Sequence, residues 1–102
     1  NSLPTIIFDE IDSGTSGEIA ESIGFLMKEM SNKIQILSIT HLAQVASKGD
    51  YHFKVMKLKD NGKSTTSIVE LSEKERVSEI ASMISGKKIT NSALNQAEEL
   101  LK

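Results

Sequence analysis

The chain has 102 residues, with 12 Lys+Arg against 14 Asp+Glu and no cysteine. That length suits one domain with a modest core, and the near-neutral balance argues against a strongly basic nucleic-acid surface within this piece. A disulfide framework and a thiolate metal site are excluded, no apolar run approaches the roughly 18 residues of a membrane span, and no stretch reads as a signal peptide. A soluble cytoplasmic protein is therefore expected. The chain begins at Asn1 rather than Met and ends inside a helical pattern, as expected of a piece of something longer.

Pro4 precedes an apolar run, Thr5 to Phe8, which reads as a buried strand that ends in Asp9 and Glu10. A third acid, Asp12, opens a Ser/Gly/Thr loop. Thr15 and Glu18 have capping-box spacing, and the spacing of Ile19, Ile23, Leu26, Met27 and Met30 predicts an amphipathic helix over 16–31 with both methionines in the core. Residues 34–40, rich in β-branched side chains, read as a second strand. Strand, helix and strand in this span make a βαβ unit, hence a parallel pair with a right-handed crossover. His41 to Ala46 follows as a short helix that stops near Gly49. Beyond it, 51–58 and 64–71 are strand-like runs around Asn61-Gly62, a type I′ hairpin signal. Ser72 and Glu75 form another capping box, ahead of Val77, Ile80, Ala81 and Ile84 at helical spacing. Gly86 closes that helix, and a last one starts near Thr90 with Leu94, Ala97 and Leu101 on its stripe.

The chemistry concentrates at the ends of the first two strands. Crowded carboxylates repel, and their burial is costly unless a cation or hydrogen bonds compensate. At a strand's carboxyl end, side chains reach the crevice where open α/β sheets bind ligands. An acid there can hold Mg²⁺ through water, and its neighbour can orient or deprotonate a water that attacks a phosphoryl group. A bare apolar run followed by Asp-Glu is served equally well by a structural reading, in which the acids end the strand and cap the loop. His41 follows the second strand as Asp9 follows the first, so the βαβ geometry brings them to one edge, where the His can donate to a phosphate oxygen.

These motifs resemble known ones. IIFDEID resembles the Walker B motif of ABC-type ATPases, and SITHLAQVA resembles their switch-histidine segment. FDEIDSGTSG followed by THLAQVA is similar, more closely, to the C-terminal part of the RecN family of SMC-related bacterial DNA-repair proteins, as are ELSEKERVSEIASMISG and the closing helix. The resemblance implies an α/β fold: the parallel βαβ core of an ABC-type (P-loop) ATPase half-head, then a β-hairpin and two C-terminal helices. It divides the chain into a Walker B, D-loop and switch-His unit over 1–49 and a hairpin-plus-helices unit over 50–102. It makes Asp9 the Mg²⁺ ligand, Glu10 the catalytic carboxylate and His41 the switch residue at the γ-phosphate, with ATP and Mg²⁺ as cofactors. Asp12, Ser13, Gly14 and Ser16 become D-loop residues at a dimer interface, although many ABC proteins close this loop with Asp where this chain has Ser16. Gln44, one turn past His41, reads as structural or interface-forming.

Two expected motifs are missing. The only near miss to a G-x-x-x-x-G-K-[ST] phosphate loop is Gly62-Lys63-Ser64, where Lys57 occupies the position of the first Gly and the segment lies between two strands. Ile84-Ser85-Gly86-Lys87 is a helix end and not an ABC signature. The fragment alone is therefore expected not to hydrolyse ATP. Its implied partners are the N-terminal half of the same head, a second head in an ATP-dependent dimer, and DNA through the full-length protein, in a bacterial, nucleoid-associated cytoplasmic setting with no membrane. Two rival readings are a non-catalytic interaction module with structural acids, and an independent Mg²⁺-dependent phosphotransfer domain using Asp9, Glu10 and Asp12. Lys54, Lys57, Lys59 and Lys63 read as lysines that guard a sheet edge. His52 has no acidic or His partner at ligand spacing and stays unassigned.

Overall fold

The β-branched and aromatic residues of Thr5–Asp9 (β1) pair in parallel with Gln35–Ile39 (β2), from Thr5 opposite Gln35 to Asp9 opposite Ile39. The structure, a computed structural model, describes residues 4–11 and 14–102. Period-2 alternation sends Ile6, Phe8 and Ile36 inward. It leaves Ile7, Leu37 and Ile39 on an outer face where they are 64%, 48% and 55% exposed.

The crossover between the strands is α1 (Gly17–Met30). Its cap lies one residue later than the Thr15–Glu18 spacing predicts. Ser16 adopts the extended conformation of an N-cap and its hydroxyl accepts from the Ile19 amide at 3.4 Å, so the capping box is not formed there. The buried face differs from the expected stripe as well. Ala20, Gly24 and Met27 are buried, Met30 is half-buried, and Ile19 and Leu26 are exposed. Close approach to the next helix selects the small residues. A Cβ on Gly24 would stand 2.8 Å from the Gln44 carbonyl oxygen and 2.9 Å from Lys48 Cγ.

That next helix, α2, spans only Ala43–Ala46. It starts later than the sequence suggests because Thr40 Oγ1 accepts from the Leu42 amide at 3.0 Å, a local turn that keeps His41 and Leu42 out of the helix. The second half then forms β3 (Phe53–Asp60) and β4 (Lys63–Glu70), an antiparallel hairpin in register from Phe53–Glu70 to Asp60–Lys63. Its two-residue tip, Asn61-Gly62, has φ of 50° and 77°, as a type I′ turn requires. α3 (Glu73–Ser85) begins with the expected capping box, in which Ser72 Oγ accepts from the Glu75 amide at 3.2 Å and Glu75 accepts from the Ser72 amide at 2.9 Å. It ends at Gly86, whose φ of 84° suits glycine. α4 (Asn91–Leu101) is capped by Thr90.

Two apolar clusters result. Ala20, Met27 and Val45 form one with Phe8, Ile23, Ile36 and Leu42, while Ala43, Ile80, Ala81, Ala93 and Ala97 form the other with Val77, Ile84 and Leu94. α2 contributes Val45 to the first and Ala43 to the second, so four residues join the βαβ unit to the α3–α4 pair.

The chain's single arginine, Arg76 on α3, closes that joint. Its Nη2 donates to the Ala46 carbonyl at 2.9 Å and to the Gly49 carbonyl. Beside it, His52 is half-buried with Nδ1 unpartnered, and Lys54 pairs with Glu79 at 2.7 Å. Lys54 thus ties the hairpin to α3 instead of guarding an edge. Burial, then the charge of Arg76, lowers the His52 pKa below its ordinary 6.5, with Glu79 opposing and Lys54 adding to the decrease.

Two measurements test this packing. Gly24→Ala should cost about 1–3 kcal/mol in urea unfolding because backbone must move. Gly17→Ala should cost far less, because its new methyl meets only the mobile Gln44 Nε2, at 3.3 Å. For His52, the unfolded chain binds the proton more tightly than the fold does, so stability rises with pH across that interval. The contribution is complete above pH 6.5 and is lost as pH falls through the lower folded-state value. His52→Gln should flatten that part of the stability–pH profile.

Candidate functional site

The parallel register sets the carboxyl ends of β1 and β2 side by side, and the ladder continues one step further, where the Glu10 amide donates to the Ile39 carbonyl at 2.8 Å. Glu10 then takes a left-handed conformation with φ of 52°. For a residue with a Cβ this costs roughly 1–2 kcal/mol. It breaks the alternation of the strand and brings Oε1 of Glu10 to 3.4 Å from His41 Nδ1. Both side chains are more than half exposed, and exposed pairs of this kind contribute about 0–1 kcal/mol. The contact does not repay the strain. Backbone strain of this sort clusters at functional sites.

Asp9 precedes this turn as an exposed carboxylate opposite Ile39. Among the described residues no group of three His, Cys, Asp or Glu side chains gathers to hold a metal ion. Of the expected interface loop, Asp12 and Ser13 lie outside the described residues, Gly14 has φ of 78°, and Ser16 caps α1. Gln44 lies beside Gly17 at the start of α1. Gly62-Lys63-Ser64 is the hairpin tip and start of β4, not a strand-to-helix phosphate loop.

The structure therefore brings Asp9, Glu10 and His41 to one edge. Sequence reading overlooked Arg76, which grips the end of α2 and the connection after it, 30 and 27 residues away in sequence. The available signal was compositional: every other basic residue is lysine, and a guanidinium is the group suited to partly buried contacts with several acceptors.

No protein-family model matches the chain. Curated relatives do match. The chain is 46% identical over 98 residues to the DNA repair protein RecN of Rickettsia conorii, 42% over 101 residues to that of Haemophilus influenzae and 43% over 98 residues to that of Bacillus subtilis. These alignments cover 96–99% of this chain and 17–18% of the relatives. Among solved structures, the Smc head domain with a coiled coil and joint from Pyrococcus yayanosii matches with a TM-score of 0.66 and 25% identity, over 83% of this chain and 15% of that one. A structure from work on ATP-driven dimerization and DNA-stimulated activation of SMC ATPases matches with a TM-score of 0.64 and 23% identity, over 86% of this chain and 52% of that one. The fold is that of part of an SMC ATPase head, and the chain is similar to RecN proteins over nearly its whole length while spanning only about 18% of theirs.

Proposed function

We propose that this chain is the C-terminal half of the ATP-hydrolysing head of a RecN-like DNA-repair protein, and that it supplies the head's acidic and switch-histidine edge. The observation that carries the reading is the convergence of Asp9, Glu10 and His41 at the ends of two parallel strands, with Glu10 in a strained backbone conformation 3.4 Å from His41.

The donor set fits one side of a Mg²⁺–nucleotide. Mg²⁺ is commonly held by one or two carboxylates together with phosphates and water, so an exposed strand-end Asp9 suits it, with the phosphates gripped by another part of the protein. When bound, the metal neutralises charge on the phosphate oxygens. The Glu10 carboxylate orients the attacking water and accepts its proton. His41 donates a hydrogen bond toward the terminal phosphate and is itself oriented by Glu10. Alone, the chain has no phosphate loop and hydrolyses no ATP.

The partner that completes the site is the N-terminal half of the same head. The exposed outer face of Ile7, Leu37 and Ile39 beside Asp9 supports a further layer there, since apolar patches of this kind mark contact surfaces. ATP then pairs two heads, with the 12–16 loop at the interface, and hydrolysis separates them, coupling nucleotide state to DNA engagement during break repair in the cytoplasm. Among the described residues no helix is long and apolar enough to cross a membrane.

Glu10→Gln in the longest natural chain tests the assignment, since it removes charge and keeps shape. Steady-state turnover should fall about 10²–10⁴-fold, the usual span of a general base, while ATP affinity persists. Unchanged turnover would favour structural acids in an interaction module. Loss of ATP binding would remove the water-activating role.

A further inference from the structure

Four residues cannot hold a helix on their own, because nucleating a turn fixes several backbone torsions for one hydrogen bond. α2, at Ala43–Ala46, therefore takes its position from its surroundings, and His41 is separated from it only by Leu42. At its leading end, the Leu42 amide is held by Thr40 Oγ1 and the Leu42 side chain packs in the βαβ cluster. At its trailing end, the last helical carbonyl, of Ala46, accepts from Arg76 Nη2 at 2.9 Å, and the same nitrogen donates to Gly49. The Arg76 Nε is buried and unpartnered, and among the described residues the guanidinium reaches across from α3 to these two carbonyls. Asp50 adds a favourable charge to its surroundings.

We infer that Arg76 is a positioning residue for His41: anchored in α3, it fixes α2 against the α3–α4 pair and so sets where the imidazole stands relative to Glu10. The inference deepens the ATPase reading and rests on it. It also gives the helices after the hairpin a task, since a displacement of α3 is passed through Arg76, together with the packing of Ala43, to the residue beside the water-activating carboxylate.

The test uses the full-length natural protein and two variants. Arg76→Met keeps the aliphatic stem and removes both hydrogen bonds, and Arg76→Lys restores a donor without the planar fork. In nucleotide-free protein, Arg76→Met should raise amide exchange over residues 42–47 about tenfold or more while β1 and α1 stay protected, because the opening is local. With ATP, kcat should drop roughly tenfold or more with KM little changed, as expected when a catalytic-site group is misplaced and not lost. Arg76→Lys should recover part of both signals. Unchanged exchange over 42–47, exchange rising throughout the head, or a KM effect without a kcat effect would each overturn the inference. Glu10→Gln, run in parallel, separates the two levels. If it abolishes turnover while Arg76→Met moves neither exchange nor kcat, the positioning role fails and the ATPase reading stands. If Glu10→Gln leaves turnover intact, the water-activating role of Glu10, on which the inference rests, fails.

Discussion

The structure depends on a joint four residues long. α2 presents Val45 to the cluster beneath the parallel strands and Ala43 to the cluster between α3 and α4, and among the described residues no other helix belongs to both clusters. Such a joint needs close contact on each side. Gly24 provides it on the α1 side, where the backbone of Gln44 leaves no room for a methyl group. On the α3 side, small side chains (Ala81, Ala93 and Ala97) let the helices approach, and Arg76 fastens the trailing end. Large residues are not the determinants of this core. Ile80 is the only sizeable side chain that is fully buried among the described residues, while Ile7, Phe25, Leu26 and Leu37 remain largely exposed.

That arrangement has a functional consequence. His41 is placed between the end of β2 and the start of α2, so it is positioned by the sheet on one side and by the joint on the other. Glu10 is positioned by the sheet, through the Ile39 carbonyl, and by a left-handed turn that its contact with His41 is too weak to stabilise. The two groups therefore report on different parts of the fold. Their separation at the edge depends on how the βαβ unit and the α3–α4 pair are held together.

Much of this was legible in the sequence wherever the determinants are local. The Ile-Ile-Phe run, the β-branched 34–40 segment and the helical spacing between them give the parallel unit. Asn61-Gly62 gives the hairpin and its register, and Ser72 with Glu75 gives the start of α3. Asp9, Glu10 and His41 were legible as a set because strand ends on a parallel pair must meet. Three features were not. The cap of α1 moved from Thr15 to Ser16, since adjacent hydroxyls compete for one helix end and only the backbone path decides. The buried face of α1 keeps Met27 and Ile23 but takes in Ala20 and Gly24 and leaves Ile19 and Leu26 outside, since helix–helix distance is a tertiary quantity. Arg76 joins carbonyls about thirty residues away, and no periodicity records which loop carbonyls a side chain will find.

The roles of Asp9, Glu10 and His41 all depend on whether the edge formed by β1 and β2 is a nucleotide edge. The most direct measurement is ATP affinity of the full-length protein with and without Mg²⁺, for the natural sequence and for Asp9→Asn. If Asp9 holds the metal, the natural protein binds ATP more tightly with Mg²⁺ and the variant loses most of that enhancement while its metal-free affinity is retained. If both proteins show the same Mg²⁺ enhancement, Asp9 does not face the nucleotide, and the site assembled around Glu10 and His41 serves some other purpose.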